Sequence, residues 1–305
     1  MENVESIIEE TEKKAPFYSY RSVGQCLSAG ISFFTDNFLF MLKVSFPVLV
    51  ISGALISVYF SSVSPSGPSL IGSLASLGSM FMEFVIIGMV MRLILQESMG
   101  KGFLGYNSWT LFRASLGQIK RCTIIYITLF VVFMLLMAPT ICAFFPLMNM
   151  GTPVVFAVVA LLNLILVIFL FEVPANMALY YGVLENGSLW KNVWNGFKKG
   201  YKYWGRIFGL ELIMFAVVAF ICFCFALPAG VFAVAKNSML QVQAMGDKVD
   251  DLDVINCWFM FVSFLSGFLC MFVHLVNVPV FGYLYATIKV SEEESVSLKK
   301  IDELA

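Results

Sequence analysis

Long apolar runs alternate with short polar interruptions along this chain, and the runs have the length a bilayer demands. A membrane-crossing helix needs about 20 predominantly apolar residues. Runs of that kind extend from about Lys43 to Phe60, Ile71 to Leu95, Thr123 to Phe145, Val154 to Val183, Ile207 to Val234 and Val254 to Ile288. They predict six transmembrane helices.

A different pattern precedes the first, third and fifth runs. After Ser22, an N-cap residue type, Val23, Cys26, Leu27, Gly30, Ile31 and Phe34 step by three and four. After Ser108, Trp109, Phe112, Leu116 and Ile119 share a face, with Arg113, Lys120 and Arg121 largely elsewhere. The third stretch, SLWKNVWNGFKKGYKYWGR, starts at Ser188. It places Trp190, Val193, Trp194, Phe197, Tyr201 and Trp204 in one stripe and Asn195, Lys198, Lys199 and Lys202 opposite. Each stretch predicts an amphipathic helix lying along the membrane surface.

The three starts, YRS, YNS and NGS, are 86 and 80 residues apart. Each opens a unit of surface helix, span and returning span: residues 22–100, 101–185 and 186–290, with tails at 1–21 and 291–305. Parallel repeats are related by an axis along the membrane normal. The expectation is therefore an all-α integral membrane protein, three hairpins in a pseudo-threefold bundle.

Composition agrees with a membrane protein: 13% of residues are charged, against about 25% in soluble domains. The net charge of −1 says little because the charges are segregated. Of 19 basic residues, 17 fall in the termini, in the loops after spans two and four or at the span ends beside them, while Lys236 and Lys248 fall on the other side next to four aspartates. Basic loops stay in the cytoplasm, so both termini are expected there. The acidic start MENVESIIEETEKK has no basic region leading into an apolar stretch, and no cleavable signal peptide is expected.

Candidate chemistry is sparse. The seven cysteines form no C-x-x-C pair, and His274 is the only histidine, so neither a metal site nor a cofactor is expected. No HExxH, GxSxG or Gly-rich phosphate loop occurs, and the reading is of a protein that is not an enzyme. What stands out is polar residues within spans. Aligning the returning spans as EFVIIGMVMRLIL, EVPANMALYYGVL and NVPVFGYLYATIK puts Glu83, Glu172 and Asn277 at one equivalent position. At 1.5 Å per residue this position lies about 18 Å from the cytoplasmic end, near the bilayer centre.

Asn176 shares a face with Glu172, and His274 shares one with Asn277. Pro174 and Pro279 also match, and each removes a backbone donor from the carbonyl four residues earlier, at Leu170 and Leu275. Carboxylates in hydrocarbon are expensive and point to function. The alternative is a set of interhelical hydrogen bonds that hold the hairpins together. Glu211, near the end of its span, reads as a structural residue paired with a basic neighbour. On the third surface helix, Trp190, Trp194, Lys198, Lys199, Lys202 and Trp204 read as lipid anchors at the interface, with a docking surface for a cytoplasmic partner as the alternative.

Segments such as SVGQCLSAGISFFTDNFLFMLK, an amphipathic start running into a Phe-rich span, resemble a loose bacterial group. It comprises the membrane domain fused to some glycerophosphodiester phosphodiesterases and the YciC-like inner-membrane proteins. The soluble phosphodiesterase domain is missing here, so no esterase activity carries over. The resemblance implies a bacterial inner-membrane protein. Together with the residues it suggests a membrane scaffold or accessory protein interacting with lipids, and alternatively a transporter or lipid-translocating permease using the mid-membrane polar ring. The expected partners are membrane lipids or another membrane or cytoplasmic protein, and no nucleic acid.

Overall fold

The computed structural model describes residues 16–64, 67–103, 105–149, 153–245 and 252–302. The acidic tail through residue 15, the tip of the turn at 150–152, most of the aspartate-rich loop at 246–251 and the last three residues lie outside the described residues. The described chain is helical apart from its turns and one two-residue antiparallel pairing, Val63–Ser64 (β1) with Gly67–Pro68 (β2). Among the described residues, six helices are long and apolar enough to cross a membrane.

The first unit consists of α1 (Val23–Asp36), α2 (Phe38–Ser62) and α3 (Leu70–Ser98). Ser22 caps α1 as expected: its hydroxyl accepts from the Gln25 N–H, and the Gln25 side chain accepts from the Ser22 N–H. Asn37 ends α1, its side-chain amide donating to the Phe33 carbonyl at 2.8 Å. The second unit is α4 (Ser108–Asn149), α5 (Pro153–Val167), a π-helical turn at Ile168–Glu172 and α6 (Val173–Leu184). The third is α7 (Leu189–Lys202), α8 (Trp204–Ala244), α9 (Leu252–Phe272) and α10 (His274–Asp302).

Several boundaries differ from the sequence expectation. The surface stretch and span of the second unit are one unbroken 42-residue helix. Asn37 interrupts the first unit and Tyr203 the third, whereas the helix runs unbroken through the corresponding stretch, residues 120–128. The stretch 235–244, expected as part of a polar loop, continues α8, and the expected tail from residue 291 continues α10 to Asp302. The end of an apolar run marks where a helix leaves hydrocarbon, and propagation beyond that point costs little. The sixth span breaks at Val273, just ahead of Pro279, whose ring and missing N–H disturb the preceding turn.

The core consists of the returning segments. Phe84–Met91 and Val278–Ile288 are buried at every position, and 173–183 at all but Asn176. Helices that are apolar all round belong inside a bundle. Around them, α2, α4, α5 and α8 keep many large apolar side chains exposed, among them Ile51, Leu135, Leu162 and Phe220. These are the surfaces that lipid would cover.

Each returning segment also carries a surface stretch on its flank. Glycines let the backbones touch: a Cβ added to Gly30 of α1 would lie 2.5 Å from the Val280 Cα in α10. At Gly196 of α7 it would lie 2.6 Å from the Ala178 Cα in α6. In the second unit the roles reverse, with Gly88 of α3 facing Ile119 of α4.

Candidate functional site

The polar residues of the returning segments gather around one cavity. Glu83, Glu172 and Asn277 each sit one position before a fully buried run, so all three lie at the deep end of the core segments. Glu172, Asn176, His274 and Asn277 line a cavity of about 440 Å³. Glu83 reaches the same place through His274, with Nε2 and Oε1 3.5 Å apart. That separation is long for a hydrogen bond but short enough for charge attraction when the imidazole is protonated.

The walls are apolar, contributed by Met80 and Ile87 of α3, Leu129, Phe130 and Phe133 of α4, Phe171, and Phe281 of α10. The cavity is therefore bounded by helices of all three units. Glu172 is exposed at its edge and forms no hydrogen bond or ion pair among the described residues. Asn277 keeps its buried Oδ1 without a hydrogen-bond donor.

Pro174 shapes this site locally. Its missing N–H releases the Leu170 carbonyl, and the chain answers with the π turn that ends at Glu172. The Tyr201 hydroxyl donates to the Leu170 carbonyl at 2.7 Å, and the Trp204 indole N–H donates to the Phe169 carbonyl at 2.8 Å. Trp204, read as a lipid anchor, and Tyr201 of the same stripe thus complete the backbone beside Glu172.

Three members of the site had weaker signals in the sequence. Glu211 of α8 accepts from the Asn176 side-chain amide at 2.9 Å. Its partner is a polar group of the cavity and not the basic neighbour that its position near a span end suggested. Tyr126 lines the cavity, stacked on Phe84 with ring centroids 4.9 Å apart. Tyr180 lines it too, and spends its hydroxyl on the Val278 carbonyl at 3.0 Å. A tyrosine inside an apolar run was the available signal for both.

The basic end of the bundle is organised differently. Glu292, near the end of α10, bonds Lys199, Lys202 and the Tyr203 hydroxyl. The lysines read as lipid contacts therefore have a protein partner. Lys198 lies over the Trp194 ring instead, 5.7 Å from its centroid. Trp190 and Trp194 are exposed, at 52% and 64%, while Val193, Gly196 and Gly200 on the other face of the helix are buried on α6. Trp204 is partly buried and stacks on Phe208.

Just past α6, Glu185 accepts from the Lys289 ammonium at 2.8 Å and from the Tyr285 hydroxyl at 2.7 Å. Burial alone would raise its carboxyl, but those two bonds and the Lys289 charge hold it below the usual carboxylate range. Arg121 closes the end of α6 by donating to the Gly182 and Glu185 carbonyls.

Among the described residues no cluster of histidine, cysteine, aspartate and glutamate could hold a metal ion. No family model, curated protein or solved structure matches the chain. Its nature is thus defined by its own six apolar helices, which mark it as a membrane protein.

Proposed function

We propose that this chain is a permease-like protein of the bacterial inner membrane that takes an amphipathic, lipid-like molecule into the cavity between its hairpins. The observation that carries this reading is the cavity itself: about 440 Å³, walled by Phe and Leu, with Glu172, Asn176, His274 and Asn277 converging in it. Pockets that are mostly apolar with a few convergent polar groups are the usual form of a ligand site. Ionisable groups at this depth in a span mark substrate or ion pathways.

In this reading the three units form a pseudo-threefold ring with both termini cytoplasmic. Its support is cyclic: the surface stretches of units two and three flank the returning segments of units one and two, and α1 flanks that of unit three. The exposed Trp190 and Trp194 then face lipid at the interface. A scaffold role has support of its own, since the Asn176–Glu211 bond and the Glu83–His274 contact tie hairpins together.

Photo-crosslinking separates the two. A phospholipid with a photoactivatable acyl chain, in nanodiscs, is expected to label Phe130, Phe171 and Phe281, and Ala175→Trp is expected to abolish that labelling by filling the cavity. Labelling confined to outward side chains such as Phe220 and Leu162, and unchanged by Ala175→Trp, would favour the scaffold.

A further inference from the structure

We infer that the cavity selects a molecule whose polar end is an N–H-bearing ammonium group, a primary or secondary amine on an apolar chain. This rests on the cavity reading above and narrows it to a substrate class. The groups around the cavity are unbalanced in two respects. In charge, Glu83, Glu172 and Glu211 gather there with no lysine or arginine among the lining residues, and His274 alone can offer a positive partner. In hydrogen bonding, two of the donors are already committed, the Asn176 amide to Glu211 and the Tyr180 hydroxyl to the Val278 carbonyl, and His274 Nε2 is turned to Glu83.

The acceptors are left over. Glu172 has no partner among the described residues, and the Asn277 Oδ1 is buried without a donor. A carboxylate within a span and a buried amide oxygen without a donor are both costly, so the complementary ligand supplies positive charge to the one and N–H donors to both. A quaternary ammonium supplies the charge but no donor, and an anionic or hydroxylated head lacks the charge. The aromatic wall of Tyr126, Phe130, Phe171 and Phe281 suits the apolar chain, and ring faces also attract cations.

Competition against the photoactivatable lipid tests this, using the full chain in nanodiscs of phosphatidylglycerol. The probes are dodecylamine, dodecyltrimethylammonium, 1-dodecanol and dodecanoate, all with one chain length. Dodecylamine is expected to compete about ten-fold better than each of the others, the size of one charge-assisted hydrogen bond. Glu172→Gln should remove most of its advantage over dodecanol, and Asn277→Leu its advantage over dodecyltrimethylammonium. Glu172→Asp, which keeps the carboxylate, should retain the preference, and thermal melting of each variant separates lost binding from lost fold.

Adding phosphatidylethanolamine, itself a primary ammonium, should weaken dodecylamine competition if bilayer lipid is the natural source. It should leave competition unchanged if a free amine is. Equal competition by all four probes, still blocked by Ala175→Trp, would overturn the ammonium inference and leave the cavity reading standing. If no probe competes and the lipid never labels the cavity wall, the cavity reading itself fails.

Discussion

Helices α6 and α10 pass through two regions that treat polar side chains in opposite ways. At the basic end, Glu292 meets two lysines and a tyrosine, Glu185 meets Lys289 and Tyr285, and Arg121 meets two carbonyls that close α6. At the cavity, Glu172, just ahead of α6, and Asn277 of α10 have acceptors with no donor among the described residues. The basic end lies where the apolar runs stop, so an unpaired charge there would cost less, yet Glu292, Glu185 and Arg121 are all paired. The cavity lies where pairing matters most, yet acceptors are left over. In the proposed reading the open acceptors serve a ligand, while the paired residues at the basic end form a clamp that holds α6, α7 and α10 in register.

The largest effect expected along this contrast comes from prying the clamp apart. Gly196→Leu places side-chain atoms where even a Cβ would sit 2.6 Å from the Ala178 Cα. Overpacking of this kind costs about 1–3 kcal/mol, seen as a lower melting temperature in detergent. Gly117→Leu, on a helix face with nothing within 4 Å, serves as the control. An equal loss at both positions would mean that the close approach of α7 to α6 carries no special weight.

A smaller effect is expected from the Glu185 bonds. Glu185→Gln keeps an acceptor for Tyr285 and removes the charge facing Lys289, at a cost of about 1 kcal/mol. Because the folded carboxyl is held below its ordinary range, the pair contributes fully above the unfolded carboxylate value of about 4.3. The contribution is lost as pH falls through the lower folded value. Melting followed from neutral to acid pH should therefore decline more steeply for the native chain than for Glu185→Gln. Parallel curves would remove Glu185 from the clamp.

The smallest effect on stability is expected at the cavity. Glu172→Gln removes a charge that has no partner among the described residues, so its melting temperature should stay near native, within about 0.5 kcal/mol, while dodecylamine competition weakens. A stability loss as large as that of Glu185→Gln would place Glu172 among the structural residues and dissolve the contrast.

Some of this was legible in the residues. Glu83, Glu172 and Asn277 could be matched because Pro174 and Pro279 register the second and third segments, and depth along a helix is a matter of counting. Glu211 was assigned to the wrong kind of partner because its distance from a span end says nothing about what faces it. Lys199 and Lys202 were read against lipid because Glu292 lies 93 and 90 positions away along the chain. No helical periodicity connects residues so far apart.

The sequence by itself determined the membrane character, the six apolar spans, the capped start of α1 and the polar position within each returning span. These follow from hydropathy, capping chemistry and rise per residue, all local properties of a short window. Only the tertiary structure decided that Glu83 turns to His274, that Asn176 takes Glu211, that Tyr201 satisfies the carbonyl released by Pro174, and that Glu172 and Asn277 are left with open acceptors. Which polar groups pair depends on side chains brought together from distant helices, and in hydrocarbon, where water cannot substitute for a missing partner, that packing alone determines which acceptors remain open.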